Sequence, residues 1–115
     1  MTRERSAPVD RAATYEPEPL PGLDELSDAF LSLTTQDEAR RFLRDLCTLA
    51  ELEQLTHRWH IVRLLDEKMP YLEIAERVQT STATVTRVAH WLRYGTGGYR
   101  SVLERSRRRA TRARA

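Results

Sequence analysis

Residues 71–94 of the chain, YLEIAERVQTSTATVTRVAHWLRY, are the stretch that decides the fold. Apolar residues recur three or four positions apart on both sides of the polar tripeptide 79–81. That spacing predicts two helices, 71–78 and 82–94, with Ser81 as the N-cap of the second helix. A short helix, a tight turn and a second helix within about twenty residues are typical of a DNA-reading helix-turn-helix.

The side chains of this stretch predict how the two helices pack and what they expose. Two helices that cross steeply need a small residue at their contact, and Ala75 lies at that point. The N-terminal end of the second helix would then face the major groove, where hydroxyl, methyl and guanidinium groups contact phosphates and base edges. The predicted apolar plug is Ile74, Val78, Val85 and Val88. The predicted base-reading set is Thr82, Ala83, Thr84, Thr86 and Arg87.

The basic residues are segregated toward the C-terminal third of the chain. Residues 1–79 contain 10 Lys/Arg against 16 Asp/Glu, whereas residues 80–115 contain nine arginines and one acid, Glu104. This asymmetry favours a polyanionic partner, and arginine forks onto phosphate oxygens. We therefore predict double-stranded DNA as the partner. The predicted phosphate contacts come from Thr80, Ser81, Arg105, Arg107, Arg108 and Arg109.

The two ends of the chain look too polar to join a core. Four of the five prolines fall within residues 1–22, which predicts a disordered N-terminal tail. Residues 23–105 form the predicted helical domain, and residues 106–115 are predicted to be a disordered basic tail. No strand pattern appears in the sequence, so the predicted fold class is all-α, a multi-helix domain with its helix-turn-helix at about residues 71–94.

Two Thr-x-x-Glu patterns predict helix starts before the helix-turn-helix. Thr35 with Glu38 and Thr48 with Glu51 each match a capping box. Residues 36–67 fit one long helix as well, because the apolar periodicity barely falters at Thr48. The break is the favoured interpretation.

Proline, glycine and glutamine mark the boundaries around the helix-turn-helix. Pro70 disfavours a helical conformation at the residue before it and so ends the preceding helix. Gly95 is predicted to be a left-handed C-cap of the second helix. Gln79 occupies the turn position where glycine is common, and glutamine adopts left-handed geometry only at a cost that glycine avoids.

The sequence contains no constellation typical of catalysis or metal binding. A single cysteine, Cys47, allows no internal disulfide and fits a reducing cytoplasm. His57 and His60 lie three apart, but no cysteine pair or converging carboxylate completes a ligand set. No apolar run reaches the length of a membrane span. We expect a cytoplasmic protein, associated with the nucleoid when bound to DNA, that is not an enzyme and has no metal and no membrane partner.

Four segments carry a family resemblance: Leu46–Leu52, Glu73–Glu76, Ser81–Val88 and Tyr94–Tyr99. Together they resemble the Trp-repressor superfamily, and most closely its YerC/YecD-type branch of bacterial Trp-repressor-related proteins. The similarity covers about residues 23–105. It implies a six-helix chain, an intertwined homodimer that exchanges N-terminal helices, and sequence-specific duplex binding by a transcription regulator, with repression as the expected mode.

The same resemblance defines a candidate effector pocket. The founding repressor binds L-tryptophan between its central helix and its helix-turn-helix. One of its ligand-clamping arginines matches Arg87, and the other falls at His57, beside Arg58. Val88 and Trp91 stand where that repressor has glycine and serine, and both add bulk where the indole would lie. We therefore expect no tryptophan corepressor. His57, Arg58, Arg87 and Trp91 remain the candidate pocket for an unknown small effector.

Two other functions fit parts of the sequence. A nonspecific, nucleoid-type DNA-binding protein would use the helix-turn-helix only to dock and the arginines to bind. A helical protein-interaction adaptor would recruit a partner through its acidic helices. A selected consensus DNA site would exclude the first function, and salt-sensitive DNA binding would exclude the second.

Overall fold

A computed structural model describes residues 20–114, and this part of the chain holds six α-helices and no strand. The helices are α1 (Leu23–Leu31), α2 (Gln36–Leu46), α3 (Leu49–Asp66), α4 (Tyr71–Val78), α5 (Thr82–Tyr94) and α6 (Gly98–Arg114). The all-α prediction is confirmed. The predicted N-terminal tail lies outside the described residues, except for residues 20–22. No helix in residues 20–114 combines the length and apolar character needed to cross a membrane.

The described residues form two compact units, 20–57 and 58–114. In the first unit, α2 starts at the predicted cap: the Thr35 hydroxyl oxygen accepts the N–H of Glu38 at 3.1 Å. The strongest contacts of the Glu38 carboxylate are with Thr34. The carboxylate accepts the backbone N–H of Thr34 at 3.0 Å and the Thr34 hydroxyl at 3.2 Å. These hydrogen bonds from Thr34 hold the pKa of Glu38 below its ordinary value.

The second cap settles the helix break. The Thr48 hydroxyl oxygen accepts the N–H of Glu51 at 3.1 Å, while the Glu51 carboxylate accepts the N–H of Thr48 at 2.8 Å. This reciprocal pair is a complete capping box, and it satisfies two backbone donors that a helix start would leave free. The favoured break is therefore confirmed, with Cys47 in an extended conformation at the end of α2.

The core lies within the second unit. Nine buried side chains form one cluster: Ile61, Val62, Leu64, Ile74, Ala75, Val78, Val85, Val88 and Leu103. They come from α3, α4, α5 and α6, so the helix-turn-helix is clamped between the end of α3 and the start of α6. The side chain of Trp59 borders this cluster, with its ring centroid 6.5 Å from that of Tyr99. Close packing around α4 and α5 fixes which of their faces remain open.

The helices α3 and α5 end with different backbone conformations. After α3, Lys68 takes a left-handed conformation (φ 66°), and the N–H of Met69 donates to the carbonyl oxygen of Leu64 at 3.2 Å. The prediction of a left-handed Gly95 after α5 is wrong: its φ is −83° and its ψ is −152°. Gly95 is needed for space, because a Cβ there would clash with the carbonyl oxygen of Trp91.

The last helix is longer than the sequence indicated. The expected disordered tail from residue 106 onward is helical in the structure as far as Arg114. Arginine and alanine are among the best helix formers, and residues 106–114 contain no proline or glycine to stop α6. An ion pair between Arg107 and Asp66 also ties this part of α6 to the end of α3. The arginines therefore stand at fixed positions on a helix.

Candidate nucleic-acid interface

The turn between α4 and α5 is built on one backbone acceptor. Gln79 adopts a left-handed conformation (φ 65°, ψ 56°), and its N–H donates to the carbonyl oxygen of Ala75. The N–H of Thr80 donates to the same oxygen at 2.9 Å. A left-handed non-glycine residue costs roughly 1–2 kcal/mol. These two hydrogen bonds and the core beneath Ala75 hold the turn in that conformation.

Ser81 caps the recognition helix, α5, as predicted. Its hydroxyl oxygen accepts the N–H of Thr84 at 3.1 Å. The same hydroxyl donates to the Thr84 hydroxyl oxygen at 3.1 Å. Thr84 is half-buried, so its hydroxyl belongs in part to the cap. Two of the hydroxyl groups at the start of α5 therefore have a structural role as well as any contact with DNA.

The predicted apolar plug between the two helices is confirmed. Ile74 and Val85 are fully buried, and Val78, Val88 and Ala75 are each 5% exposed. Burial of one face of α5 leaves the other face open over its first two turns. There Thr82, Ala83, Thr86 and Arg87 are exposed, and among the described residues no carboxylate pairs with Arg87. The start of α5 thus presents small side chains and one arginine, a combination that can enter a major groove.

The predicted phosphate-contact residues divide into three groups. Thr80 and Ser81 lie in the turn, with Thr80 half-buried and Ser81 exposed. Arg105, Arg108 and Arg109 are exposed on α6. Arg107 is different, because its Nη2 lies 3.0 Å from both carboxylate oxygens of Asp66. Its charge is compensated within the chain.

The second half of α5 carries a group of three aromatic rings that includes Trp91, a candidate effector residue. The ring of His90 lies edge-on to that of Trp91, with centroids 6.1 Å apart, and 5.1 Å from that of Tyr94. Trp91 is 57% exposed, so it does not belong to the core. A hydrogen bond of 3.4 Å from Arg93 to the Tyr71 hydroxyl connects this half of α5 to α4.

The candidate effector residues fall in both units. His57 belongs to residues 20–57, whereas Arg58, Arg87 and Trp91 belong to residues 58–114, and all four side chains are exposed or only partly covered. Within the described part of the chain, no three or more His, Cys, Asp or Glu side chains converge as a metal site would require. Cys47 is half-buried at the end of α2.

The fold and the exposed face of α5 define a DNA-binding protein of the helix-turn-helix class. The sequence profile of the Trp repressor protein family matches residues 21–107, so the chain belongs to that family. Its members are regulatory DNA-binding proteins, and the chain is a DNA-binding regulator of the Trp-repressor type, not an enzyme.

Individual relatives agree with the family assignment. The uncharacterized protein YerC of Bacillus subtilis is 40% identical over 83 residues, which are 72% of this chain and 80% of the relative. The Trp operon repressor homolog of Chlamydia trachomatis serovar L2 is 32% identical over 82 residues, 67% of this chain and 87% of the relative. A crystal structure of a TrpR-like protein from Eubacterium eligens is 41% identical, covers 76% of this chain and 90% of its own, and superposes with a TM-score of 0.70.

Proposed function

We propose that the protein is a homodimeric transcription repressor that reads a specific duplex DNA sequence through α5. The observation that carries this proposal is the exposed start of α5, where Thr82, Ala83, Thr86 and Arg87 stand on a helix whose opposite face is buried. Rigid support matters because direct reading of bases requires side chains held at defined positions in the groove. Thr84 would contribute mainly its methyl group, since its hydroxyl shares the Ser81 cap.

The unit formed by residues 20–57 supports the homodimer. None of its described residues is buried, although its helices carry large apolar side chains. Leu31 is 81% exposed, Leu49 64%, Leu46 47% and Phe30 41%. Apolar faces of this extent on several helices are typical of surfaces that a partner covers. A second copy of the chain is the partner that the family resemblance implies.

A homodimer would give the DNA site its symmetry. Two copies of α5 related by a two-fold axis would enter successive major grooves, about 34 Å apart along the duplex. Backbone contacts from the turn at Thr80 and Ser81, and from arginines of α6, would set the register without reading sequence. The expected operator is therefore a palindrome with half-sites about one helical turn apart.

The proposed function does not include tryptophan as a corepressor. Val88 is 5% exposed and fills space in the core, where the resemblance places a glycine in the founding repressor. The exposed Trp91 adds an indole where that repressor has serine. A different small effector at Arg58, Arg87 and Trp91 would have to bind an exposed surface.

The proposal is tested by selecting bound sequences from a random duplex pool at about 150 mM salt, where phosphate attraction is partly screened. A two-fold symmetric motif is expected. Binding without any enriched motif would favour the nonspecific DNA-binding protein, and absence of DNA binding would favour the protein-interaction adaptor.

Substitution of Arg87 then tests the base-reading role on the selected site. Arg87→Ala should weaken binding to that site by about 1–3 kcal/mol and binding to random DNA much less, because alanine cannot form a bidentate hydrogen bond to a base. Arg93→Ala is the matched control, since it removes the same charge from the other end of α5. Equal losses on both DNAs for Arg87→Ala would contradict base reading.

A further inference from the structure

Four arginines of α6 form one continuous stripe, which we call the arginine stripe: Arg105, Arg108, Arg109 and Arg112. Their spacing of i, i+3, i+4 and i+7 places all four on one face of the helix. All four side chains are exposed. Glu104, the single acid of α6, lies beside the stripe and not within it.

The opposite face of α6 holds the helix to the rest of its unit. Leu103 is 5% exposed in the core, and Tyr99 packs against Trp59 one turn earlier. One turn after Leu103, Arg107 makes its ion pair with Asp66 at 3.0 Å. Beyond Leu103 every described residue of α6 is exposed, and Arg107 supplies the one hydrogen-bonded ion pair from this segment to another helix among residues 20–114.

We propose that the arginine stripe is a second nucleic-acid contact surface that follows the phosphate backbone of duplex DNA, and that the Asp66–Arg107 pair positions it. The proposal rests on the proposed DNA-binding function and assigns the phosphate contacts to one face of α6. Arg107 is then a positioning residue and not a phosphate ligand, which revises its predicted role.

The geometry suits a phosphate backbone. Seven residues of α-helix rise about 10 Å. One DNA strand carries a phosphate about every 3.4 Å of helix axis, so the stripe matches the length of about three phosphates. Guanidinium groups fork onto phosphate oxygens, and none of the ion pairs among residues 20–114 involves an arginine of the stripe. Such contacts add affinity for any sequence and make binding more dependent on salt.

The first experiment compares two double variants of equal charge in the full chain. Arg105→Gln/Arg112→Gln removes two members of the stripe, and Arg100→Gln/Arg114→Gln removes two arginines of α6 that lie off it. Binding to a random duplex several helical turns long is measured across a KCl series. The association constant K falls as salt rises. For the stripe variant, the slope of log K against log salt should become less steep by about 0.9 for each phosphate that is no longer neutralised. The control variant should change the slope much less. Equal slopes for the two variants would overturn the stripe.

The second experiment tests positioning with a change that raises the positive charge. If charge alone governed binding, Asp66→Asn and Glu67→Gln would strengthen binding to random duplex equally. If the ion pair positions the stripe, Asp66→Asn should bind about two- to fivefold more weakly than Glu67→Gln, in line with exposed ion pairs. Equal affinities would overturn the positioning role. Helix content by circular dichroism checks that each variant is folded.

Two further measurements distinguish the arginine stripe from base reading by α5 and from binding to an anionic membrane. The stripe variant should keep the ratio of specific to random binding, whereas Arg87→Ala should lower it, so failure of base reading is distinguishable from failure of the stripe. Vesicles containing phosphatidylserine provide the alternative polyanion. Stripe-dependent binding to vesicles with an unchanged salt slope on DNA would overturn the assignment to nucleic acid.

Discussion

Residues 20–57 and residues 58–114 both consist of helices, but the two units differ in how many side chains they bury. The second unit buries nine apolar side chains in one cluster, whereas none of the described residues of the first unit is buried. Hydroxyl caps begin helices in both units, at Thr35, Thr48 and Ser81. Local hydrogen bonding therefore specifies where helices begin, and it does not by itself produce a core. The described residues of the first unit form helices, but their apolar side chains have no surface within that unit to bury them.

The largest effect is expected in the core of the second unit. Ile74→Ala should destabilise the protein by about 2–5 kcal/mol, because it leaves a cavity where a fully buried side chain stood. Urea denaturation followed by circular dichroism measures this change. Leu72→Ala is the matched control on the same helix, since Leu72 is 65% exposed and should cost under about 0.5 kcal/mol. Similar losses for the two variants would contradict the assigned core.

The next effect concerns the apolar faces of the first unit. If a second copy covers them, Phe30→Ala should weaken dimerisation by about 2 kcal/mol, or about thirtyfold in the dissociation constant. Within its own unit Phe30 keeps only part of its surface covered, through an edge-on contact with Phe42 at 5.4 Å. Sedimentation equilibrium measures the dissociation constant of the dimer. Asp28→Ala, a polar change on the same helix, should leave it unchanged. A wild-type chain that stays monomeric at high concentration would show that a second copy does not cover these apolar faces.

The caps should have smaller effects, and similar ones in both units. Thr48→Ala should cost about 1 kcal/mol, because it removes the hydroxyl acceptor of a complete capping box. Thr56→Ala is the control in the same helix. Its hydroxyl donates to the backbone oxygen of Glu53 in the helix interior, so alanine should be neutral or slightly stabilising there. A loss at position 56 equal to that at position 48 would argue against a capping role.

The smallest effect is a pH dependence at the start of α2. The pKa of Glu38 is lowered by its hydrogen bonds to Thr34, so folding favours the ionised carboxylate. This contribution is present above the ordinary glutamate pKa of about 4.3 and is lost as the pH falls through the lowered value. Unfolding measured from neutral pH down into the acid range should therefore show a loss of stability that Glu38→Gln does not share. The loss should persist in Glu53→Gln, and its disappearance there would assign it to another group.

Much of the site was predictable because its signals are local. Ser81 followed by an apolar periodicity gave the start of α5, and Thr48 with Glu51 gave the break before α3, since each cap depends on residues three apart. The buried plug between α4 and α5 followed from helical spacing. Which exposed residues of α5 touch bases stays a prediction.

Other features depend on contacts that no local pattern records. Gly95 was expected to supply a left-handed turn, but it is required by the close approach of Trp91. Asp66 and Arg107 are 41 residues apart, and nothing in either neighbourhood predicts that they meet. The expected disordered tail is helical because arginine and alanine favour helix once α6 has been started by packing at Tyr99 and Leu103.

By itself the sequence determined the fold class, the helix starts, the helix-turn-helix and the segregation of positive charge, because helical periodicity, capping and charge are properties of neighbouring residues. Only the tertiary structure decided which apolar faces are buried, that Arg107 is held by Asp66, and that the face of α6 with four arginines is left open. Those outcomes depend on which helices meet, since burial and ion pairing arise between residues that are distant in the chain.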